Sequence, residues 1–550
     1  MTSGALPPRD MDPAGWGDPA RHTGLPSHAR RWLAKEIRLG DRRTPPVPLA
    51  DLELPPSRLT DRDHAALADL VGAANVRDDR ETLLRHAGGK SYLDLARHRR
   101  GEADVPDAVV LPADHAQVLA VLRSCSERRI AVVPFGGGTS VVGGLTPLAG
   151  EQAAVISLDL RRLTDPVQVD AESMTVTVGP GMRGPELEKR LAAHGLTLGH
   201  FPQSWEQASL GGYAATRSAG QASSGYGRFD ELVVALRLAT PAGTLTVGRG
   251  PASAAGPDLK ALVLGSEGVF GVITELTLRI RRRPELVHDE GWSFRTFADG
   301  LAALRRLAQA GLAPDIARLS DADETRVNLA LAGGSKTRVL RGVLAARGHR
   351  GGCLLVTGWE GPRLVVRDRR HAATALLRAA GGIRLGTAVG DAWRRHRYDG
   401  PYLRDELLDY GALVETLETA TSWTDLLGLY DTIRSALRTE LTRDDTRPLV
   451  MTHVSHLYPT GASLYFTTIA NRDDADPDGQ WQRAKERVTD VIASAGATIT
   501  HHHAVGTDHR PWIEEEIGPL GIEVLRAVKS TLDPEGILNP GKLIPDPKAE

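Results

Sequence analysis

Three adjacent imidazoles, His501-His502-His503, are the densest chemical grouping in the chain. Imidazole changes charge near neutral pH, so such a run suits proton transfer, anion binding or metal ligation. On a strand, His501 and His503 would face one side and His502 the other, which hinders capture of one ion by all three. No metal is therefore assigned. A second grouping is made of glycine: Pro134-Phe135-Gly136-Gly137-Gly138-Thr139-Ser140, then Gly143-Gly144. Consecutive glycines let backbone N–H groups converge on an anion without Cβ obstruction, and Thr139 and Ser140 add hydroxyl donors. Taken alone, this run could equally be a tight turn. Its spacing is not GxGxxG, and Gly89-Lys90-Ser91 lacks the first glycine of a Walker A loop, Leu84 standing there. Two further clusters follow, Gly199 to Gly227 and Gly265 to Ile273. Three Gly/Ser-rich loops in one domain suit a long, diphosphate-bearing ligand lying across strand ends.

The elements that must carry these loops alternate. Residues 60–100 read as helical with a turn at Gly88-Gly89. Val109–Leu111 reads as a strand, Ala116–Arg128 as an amphipathic helix, and Ile130–Pro134 as the strand feeding the glycine loop. Val155–Leu158 and Met174–Val178 read as strands, Pro185–His194 as a helix stopped by Gly195, and Leu232–Val247 as a hairpin. Gly271–Ile280 alternates as a half-buried strand. Beyond Arg281-Arg282-Arg283-Pro284, longer helices (301–310, 370–380, 423–441) separate short strands. The expected class is α+β. A mainly helical region spans 1–102, a ligand-binding α+β domain 103–283 and a cap 284–495 with an antiparallel sheet. A segment 496–550 returns to the ligand domain and the active site.

With 550 residues, 41% hydrophobic and 25% charged, the chain has ample material for globular cores. A net charge of −2 without a basic block argues against nucleic acid. Two cysteines, Cys125 and Cys353, exclude a disulfide framework or an iron–sulfur cluster. The first fifty residues hold no signal-like apolar run, and no stretch approaches the roughly 20 apolar residues that span a bilayer. A cytoplasmic location is expected, with peripheral membrane contact left open.

The segments PFGGGTSVVGG, SLGGYAATRSAG and GSEGVFGVITELTLRI resemble the PCMH-type FAD-binding domain of the vanillyl-alcohol oxidase / p-cresol methylhydroxylase superfamily. The resemblance implies FAD held by Pro134, Phe135, Gly136, Gly137, Gly138, Thr139 and Ser140, and by Gln203, Ser204, Trp205, Glu206, Gln207, Ala208 and Ser209. It further implicates Thr216, Arg217, Ser218 and Ala219, and Glu267, Gly268, Val269, Phe270, Gly271, Val272 and Ile273. No clear His or Cys stands where relatives tether the flavin, so non-covalent FAD is expected.

Hydroxy-acid dehydrogenases of that superfamily gather a metal with HxGDGNxH and EHGxG segments. Here the matching stretches are His456–Tyr465, without Asp or Asn, and His501–Gly506, where His502 replaces the Glu. Losing a carboxylate and gaining imidazoles disfavours a hard metal and favours acid/base work. This pattern, with Gly15-Trp16-Gly17, Gly88–Tyr92, Ala317-Arg318-Leu319, Tyr402–Asp405 and Glu415–Ser422, resembles the alkyldihydroxyacetonephosphate synthases. That implies an FAD-dependent, non-redox transferase exchanging the acyl group of acyl-dihydroxyacetone phosphate for a long-chain alkoxy group. Its partners would be the phosphorylated lipid and a fatty alcohol, with a homodimer compatible. By resemblance Tyr465 is the proton donor and acceptor and Arg404 binds substrate. His501, His502 and His503 supply acid/base and phosphate contacts, and His200 and Arg318 are further catalytic positions. Structural readings stand beside these: Tyr465 as core, Arg404 paired with Asp405, His200 as a loop residue. Alternatives for the chain are an FAD-linked dehydrogenase or oxidase of a 2-hydroxy acid, and a flavin-fold protein that has lost catalysis and binds lipid or partners. Ala504 stands where the eukaryotic enzymes carry Gly, which leaves the substrate open.

Overall fold

The computed structural model describes residues 10–22, 24–40 and 43–546. Its first sheet orders Val76–Arg77, Ala108–Val110, Ala154–Asp159 and Ile130–Phe135, the last three mutually parallel. Helix His115–Arg128 makes the crossover that a parallel pair requires. Asp114 caps it by accepting from Gln117 N–H, Val118, Val121, Leu122 and Cys125 bury one stripe, and Arg129 ends it in the left-handed region. The second sheet is antiparallel, in the order Val167–Asp170, Thr175–Val178, Val272–Arg279, Val233–Thr240, Gly243–Val247.

The third sheet is also antiparallel, with seven strands: Ile383–Gly386, Leu286–Phe294, Cys353–Gly361, Ile316–Ser320, Leu449–Val454, Gly461–Asn471 and Ala412–Ser422. Its register decides which side chains can meet. Ser320 pairs with His453, His453 with Tyr465 and Tyr465 with Glu418. Directly opposed residues share a face, and Arg318 lies two positions from Ser320. Arg318, His453, Tyr465 and Glu418 therefore project from one side. Their neighbours Leu319, Val454, Leu464, Phe466 and Leu417 project from the other, into the largest core cluster. Helices Phe297–Gln309, Arg363–Ala379, Leu426–Leu441 and Pro477–Ser494 cover that apolar side.

The α+β class and the antiparallel cap sheet are as read from sequence. Three local readings change. The helix expected from Arg370 starts at Arg363, because Pro362 leads into it. Helix Ile513–Leu532, kinked at Gly518-Pro519, is an element absent from the sequence reading of the tail. Thr500–His503 is an irregular loop, not a strand. After that helix the chain returns to the first sheet, where Leu538 bridges to Val132 and is buried with Ile537. Among the described residues no helix is long and apolar enough to cross a membrane.

Candidate active site

A cavity of about 420 Å³ lies between the glycine loops and the polar face of the seven-stranded sheet. The loop after Ile130–Phe135 forms one wall. Gly137 sits so close to the neighbouring chain that a Cβ there would lie 2.1 Å from the Gln207 carbonyl oxygen. Gly138 has φ +70°, which favours glycine. Among the described residues, no protein acceptor takes the N–H groups of Gly137, Gly138, Thr139 or Ser140. Unspent N–H groups at a strand end suit an anion such as a diphosphate. Pro134 to Ser140, Gln203, Ser204, Ala208, Ser209, Thr216, Ser218, Ala219, Glu267, Gly268, Gly271, Val272 and Ile273 all line the cavity.

Six residues of the expected cofactor set do not line it; each is occupied in the surrounding structure. Trp205 stacks on Tyr398 at 5.5 Å, Glu206 pairs with Arg21, and Gln207 accepts from Arg183. Arg217 donates to the Leu264 and Ala261 carbonyls, while Val269 and Phe270 are buried against Ile499, Val505 and Ile513.

The opposite wall is made of side chains. Arg318, Tyr465, His502, His503 and Arg404 line it, joined by His453 and His456. The Tyr465 ring stacks against His453 at 4.8 Å and lies nearly parallel to His502 at 6.0 Å, with His503 edge-on at 5.5 Å. Burial pushes the Tyr465 hydroxyl up to about 12, so it enters any reaction protonated. Arg318 donates to Glu324 at 2.7 Å, and the same carboxylate oxygen lies 3.1 Å from His453 Nδ1. Burial would raise Glu324, but these two bases hold it well below the usual carboxylate range. Arg404 spends Nη1 on the Lys90 carbonyl at 2.6 Å. Its Nε and Nη2 are buried without a hydrogen-bond acceptor, Asp405 being 3.5 Å from Nε. A cavity-lining guanidinium with unspent donors is suited to a phosphate. The Arg404–Asp405 pair expected from sequence is thus present and leaves donors free.

Two buried carboxylates shape the histidine loop. Glu418 accepts the backbone N–H groups of His501, His502 and His503 in succession, at 2.7–3.0 Å, and the Thr500 hydroxyl at 2.7 Å. His502 Nδ1 and His503 Nδ1 lie 3.5 and 3.9 Å from it. Burial would raise the Glu418 carboxyl, yet His502, then His503 and His501, hold it well below the carboxylate range. Glu267 accepts from Val505 and Gly506 at 2.8 Å, and burial raises it to about 7. Between the two anchors Ala504 takes φ +74°. Three N–H groups turned to one acceptor cannot belong to an extended strand, which is why the alternation expected for 501–503 fails.

His501 and His200 stand behind the cavity wall. His501 Nδ1 is 3.1 Å from His502 Nδ1 and its Nε2 is 2.7 Å from the Tyr458 hydroxyl. His200 packs between Tyr213 and Phe229 and reaches the cavity only through Ser218, 3.1 Å from Nε2. Burial lowers His501, His503 and His200 to about 3, leaving neutral imidazoles. His456, His501 and His502 bring ring nitrogens within 4.8 Å, a grouping that could hold a cation. Both His501 nitrogens are already hydrogen-bonded, which favours proton handling over ligation.

The sequence reading missed Glu418, Glu324 and His453, and gave Glu267 only to the cofactor. Glu418 leaves one signal, a carboxylate that with Glu415 interrupts the apolar and Thr-rich strand Ala412–Ser422. Glu324 leaves none, since acidic residues are ordinary in a first helical turn.

Residues 106–248 match the family described as FAD binding domain, and 283–543 match FAD linked oxidases, C-terminal domain. The chain is 35% identical over 485 residues to the alkyldihydroxyacetonephosphate synthase of Dictyostelium discoideum, covering 86% of this chain and 79% of that protein. It is 33% identical over 497 residues to the enzyme of the same name from Trypanosoma brucei brucei, covering 88% and 81%. A solved alkyldihydroxyacetonephosphate synthase superposes with a TM-score of 0.85 at 30% identity, over 97% of this chain and 99% of that one. An FAD-type loop wall facing a wall of Tyr, His and Arg, in a chain this similar to those enzymes, places the protein in the alkyldihydroxyacetonephosphate synthase family.

Proposed function

We propose that the protein is an FAD-dependent, non-redox transferase that exchanges the acyl group of acyl-dihydroxyacetone phosphate for a long-chain alkoxy group. The observation that carries the reading is the composition of the wall facing the glycine loops: protonated Tyr465, neutral imidazoles and an arginine with unspent donors, all on one cavity. FAD would be held non-covalently by the lining members of the three loops, and its isoalloxazine would supply an electrophile for the substrate carbon. Arg404 binds the phosphate through Nε and Nη2, and Arg318 adds a second cation. Tyr465 gives a proton to the departing carboxylate and accepts one from the incoming alcohol. His502 and His503 lie beside it to take the carbon-bound proton. Glu418 fixes the loop that presents them, and His200 supports Ser218 on the opposite wall. The organisation into a helical region 1–102, an FAD domain 103–283, a cap 284–495 and a returning segment 496–550 fits this division of labour. Its location is cytoplasmic, with the lipid substrates met at a membrane surface.

The test is an anaerobic assay with acyl-dihydroxyacetone phosphate and a fatty alcohol. Fatty-acid release that needs the phosphate substrate, with the flavin returning to its oxidised spectrum without oxygen or dye, supports the transferase. Dye reduction by a 2-hydroxy acid without acyl release overturns it. Tyr465→Phe abolishes exchange, by at least about 100-fold, while leaving flavin bound; full activity in that variant removes its assigned role.

A further inference from the structure

Loops run over protein surfaces because a buried one carries backbone groups that need partners. Residues 10–22 depart from that rule. Apart from the short turn Pro19–Arg21 they form no helix or strand, yet Pro13, Ala14, Gly15, Trp16 and Gly17 are all buried. The segment closes on itself, Asp12 N–H donating to the Gly17 carbonyl at 3.0 Å. Side chains from distant parts of the chain take further backbone groups. Lys90 Nζ donates to the Asp12 and Pro13 carbonyls at 2.5 and 3.1 Å, Arg99 donates to the Ala14 carbonyl at 3.3 Å, and Asp405 accepts the Trp16 N–H. Ion pairs hold both ends, Asp10 with Arg161 at 2.8 Å and Arg21 with Glu206 at 2.5 Å. Trp16 is 5% exposed and lines the cavity, its backbone bonded to the residue that follows Arg404.

Lys90 is the joint of this arrangement. Its backbone N–H donates to the Ser140 carbonyl at 2.6 Å, on the glycine loop, and its own carbonyl accepts from Arg404 Nη1 at 2.6 Å. A Cβ on Gly89 would lie 2.2 Å from the Ser140 carbonyl oxygen, so the approach requires glycine. Gly89-Lys90-Ser91, which is no Walker A loop, thus joins both walls of the cavity through its main chain. Only the segment 10–22 is held by the lysine side chain. Burial lowers that ammonium to about 8, which keeps it charged at neutral pH.

We propose that Trp16 seals the Arg404 end of the cavity against water, that Lys90 is the positioning residue that tethers it, and that this seal makes the enzyme use a fatty alcohol instead of water. The inference rests on the transferase reading above. Water and the alcohol present the same nucleophilic group. Once the ester C–O bond has broken, either oxygen can bond to the substrate carbon and pass its proton to Tyr465. The alcohol gives the ether. Water gives dihydroxyacetone phosphate, so that the substrate is hydrolysed to this compound and a fatty acid. Neither route changes the electron count. Contacts that recognise a long chain do not reject water, because a small molecule fits wherever a larger one does. Rejection needs a closed wall.

Two variants test the seal from opposite ends. Lys90→Met keeps the backbone bonds to Ser140 and Arg404 and removes the tether. Trp16→Ala keeps the tether and removes the ring. Ether formed, fatty acid released, flavin content and the quenching of flavin fluorescence by acrylamide, a neutral solute, are measured for each protein. The wild-type enzyme is expected to release one fatty acid per ether. Both variants are expected to hold flavin, to release at least about twofold more acid than ether, and to be quenched more strongly. Equal acid and ether in both variants overturns the seal, whatever their rates. So does excess acid without stronger quenching, since water then profits from a misplaced alcohol and not from an opened wall. If Lys90→Met does not fold, Trp16→Ala decides alone. A wild-type enzyme that releases no fatty acid overturns the transferase reading, and the closed wall then stands or falls with the quenching.

Discussion

On one side of the cavity the main chain is the working surface. Gly137 to Ser140 offer N–H groups that nothing else in the described protein uses, and the glycines are there because Cβ atoms would strike the neighbouring chain. On the other side the working atoms are phenol, imidazole and guanidinium groups, and their loop is shaped from far away. Glu418 reaches His501, His502 and His503 across 83 to 85 positions of sequence, and Glu267 reaches Val505 and Gly506 across 238 and 239. The first wall is encoded locally, by a run of small residues. The second is encoded in pairs, where neither partner has meaning alone. The two should therefore fail in different ways.

The sharpest separation comes from Glu418→Ala. Three N–H groups lose their acceptor and the histidine loop loses its anchor, while the glycine wall keeps every contact. Removing one partner of a buried charged network costs about 3–5 kcal/mol, and displaced catalytic groups lose rate on a similar scale. Exchange should fall by about 1,000-fold with flavin content and spectrum intact. Parallel loss of flavin would show that the walls are mechanically one unit.

Gly137→Ala probes the other wall. The new Cβ would lie 2.1 Å from the Gln207 carbonyl oxygen and 2.7 Å from Ala208 Cα, both backbone atoms that cannot rotate away. Overpacking of this kind costs about 1–3 kcal/mol, equivalent to a loss of roughly 5- to 150-fold in FAD affinity. Saturating FAD should then restore turnover, because the histidine wall is untouched. Titration of the apoprotein by flavin fluorescence gives the affinity. A turnover defect that excess FAD cannot repair would break the separation.

This asymmetry also explains what could be read in the sequence. The main strands and helices of residues 108–280 were legible, because alternation and glycine stops are short-range signals; Ile130–Phe135 and Val272–Arg279 fall where their patterns place them, whereas edge strand Val167–Asp170 and the short helices Leu210–Ala215 and Lys260–Val263 were not read. The loops that line the cavity were legible for the same reason. Trp205, Arg217 and Phe270 sit inside those segments yet face away, since a segment match assigns stretches and not side-chain directions. The histidines were visible as a run, but their geometry was not, because it depends on Glu418 in a strand that lies next to Tyr465 only after folding. His200 shows the converse. It reads as chemistry in sequence, and the fold buries it against Tyr213 and Phe229.

The smallest expected effect tests how tightly the two carboxylates dictate the loop between them. Ala504 joins the half held by Glu418 to the half held by Glu267, at φ +74°, and its carbonyl accepts from His509 Nδ1 at 2.9 Å. A left-handed alanine costs about 1–2 kcal/mol, which glycine avoids. Glycine also adds about 0.4–1 kcal/mol of freedom to the unfolded chain, which opposes that gain. Ala504→Gly should therefore stabilise by only about 0.5 kcal/mol, a rise in melting temperature of about 1 °C. If the anchors at Glu418 and Glu267 set the loop, exchange activity stays at the wild-type level, because five N–H bonds still fix the backbone on both sides of residue 504. A drop in kcat with the stability gain intact would mean that the alanine Cβ itself limits the loop, and that the pair-encoded wall keeps a local element after all.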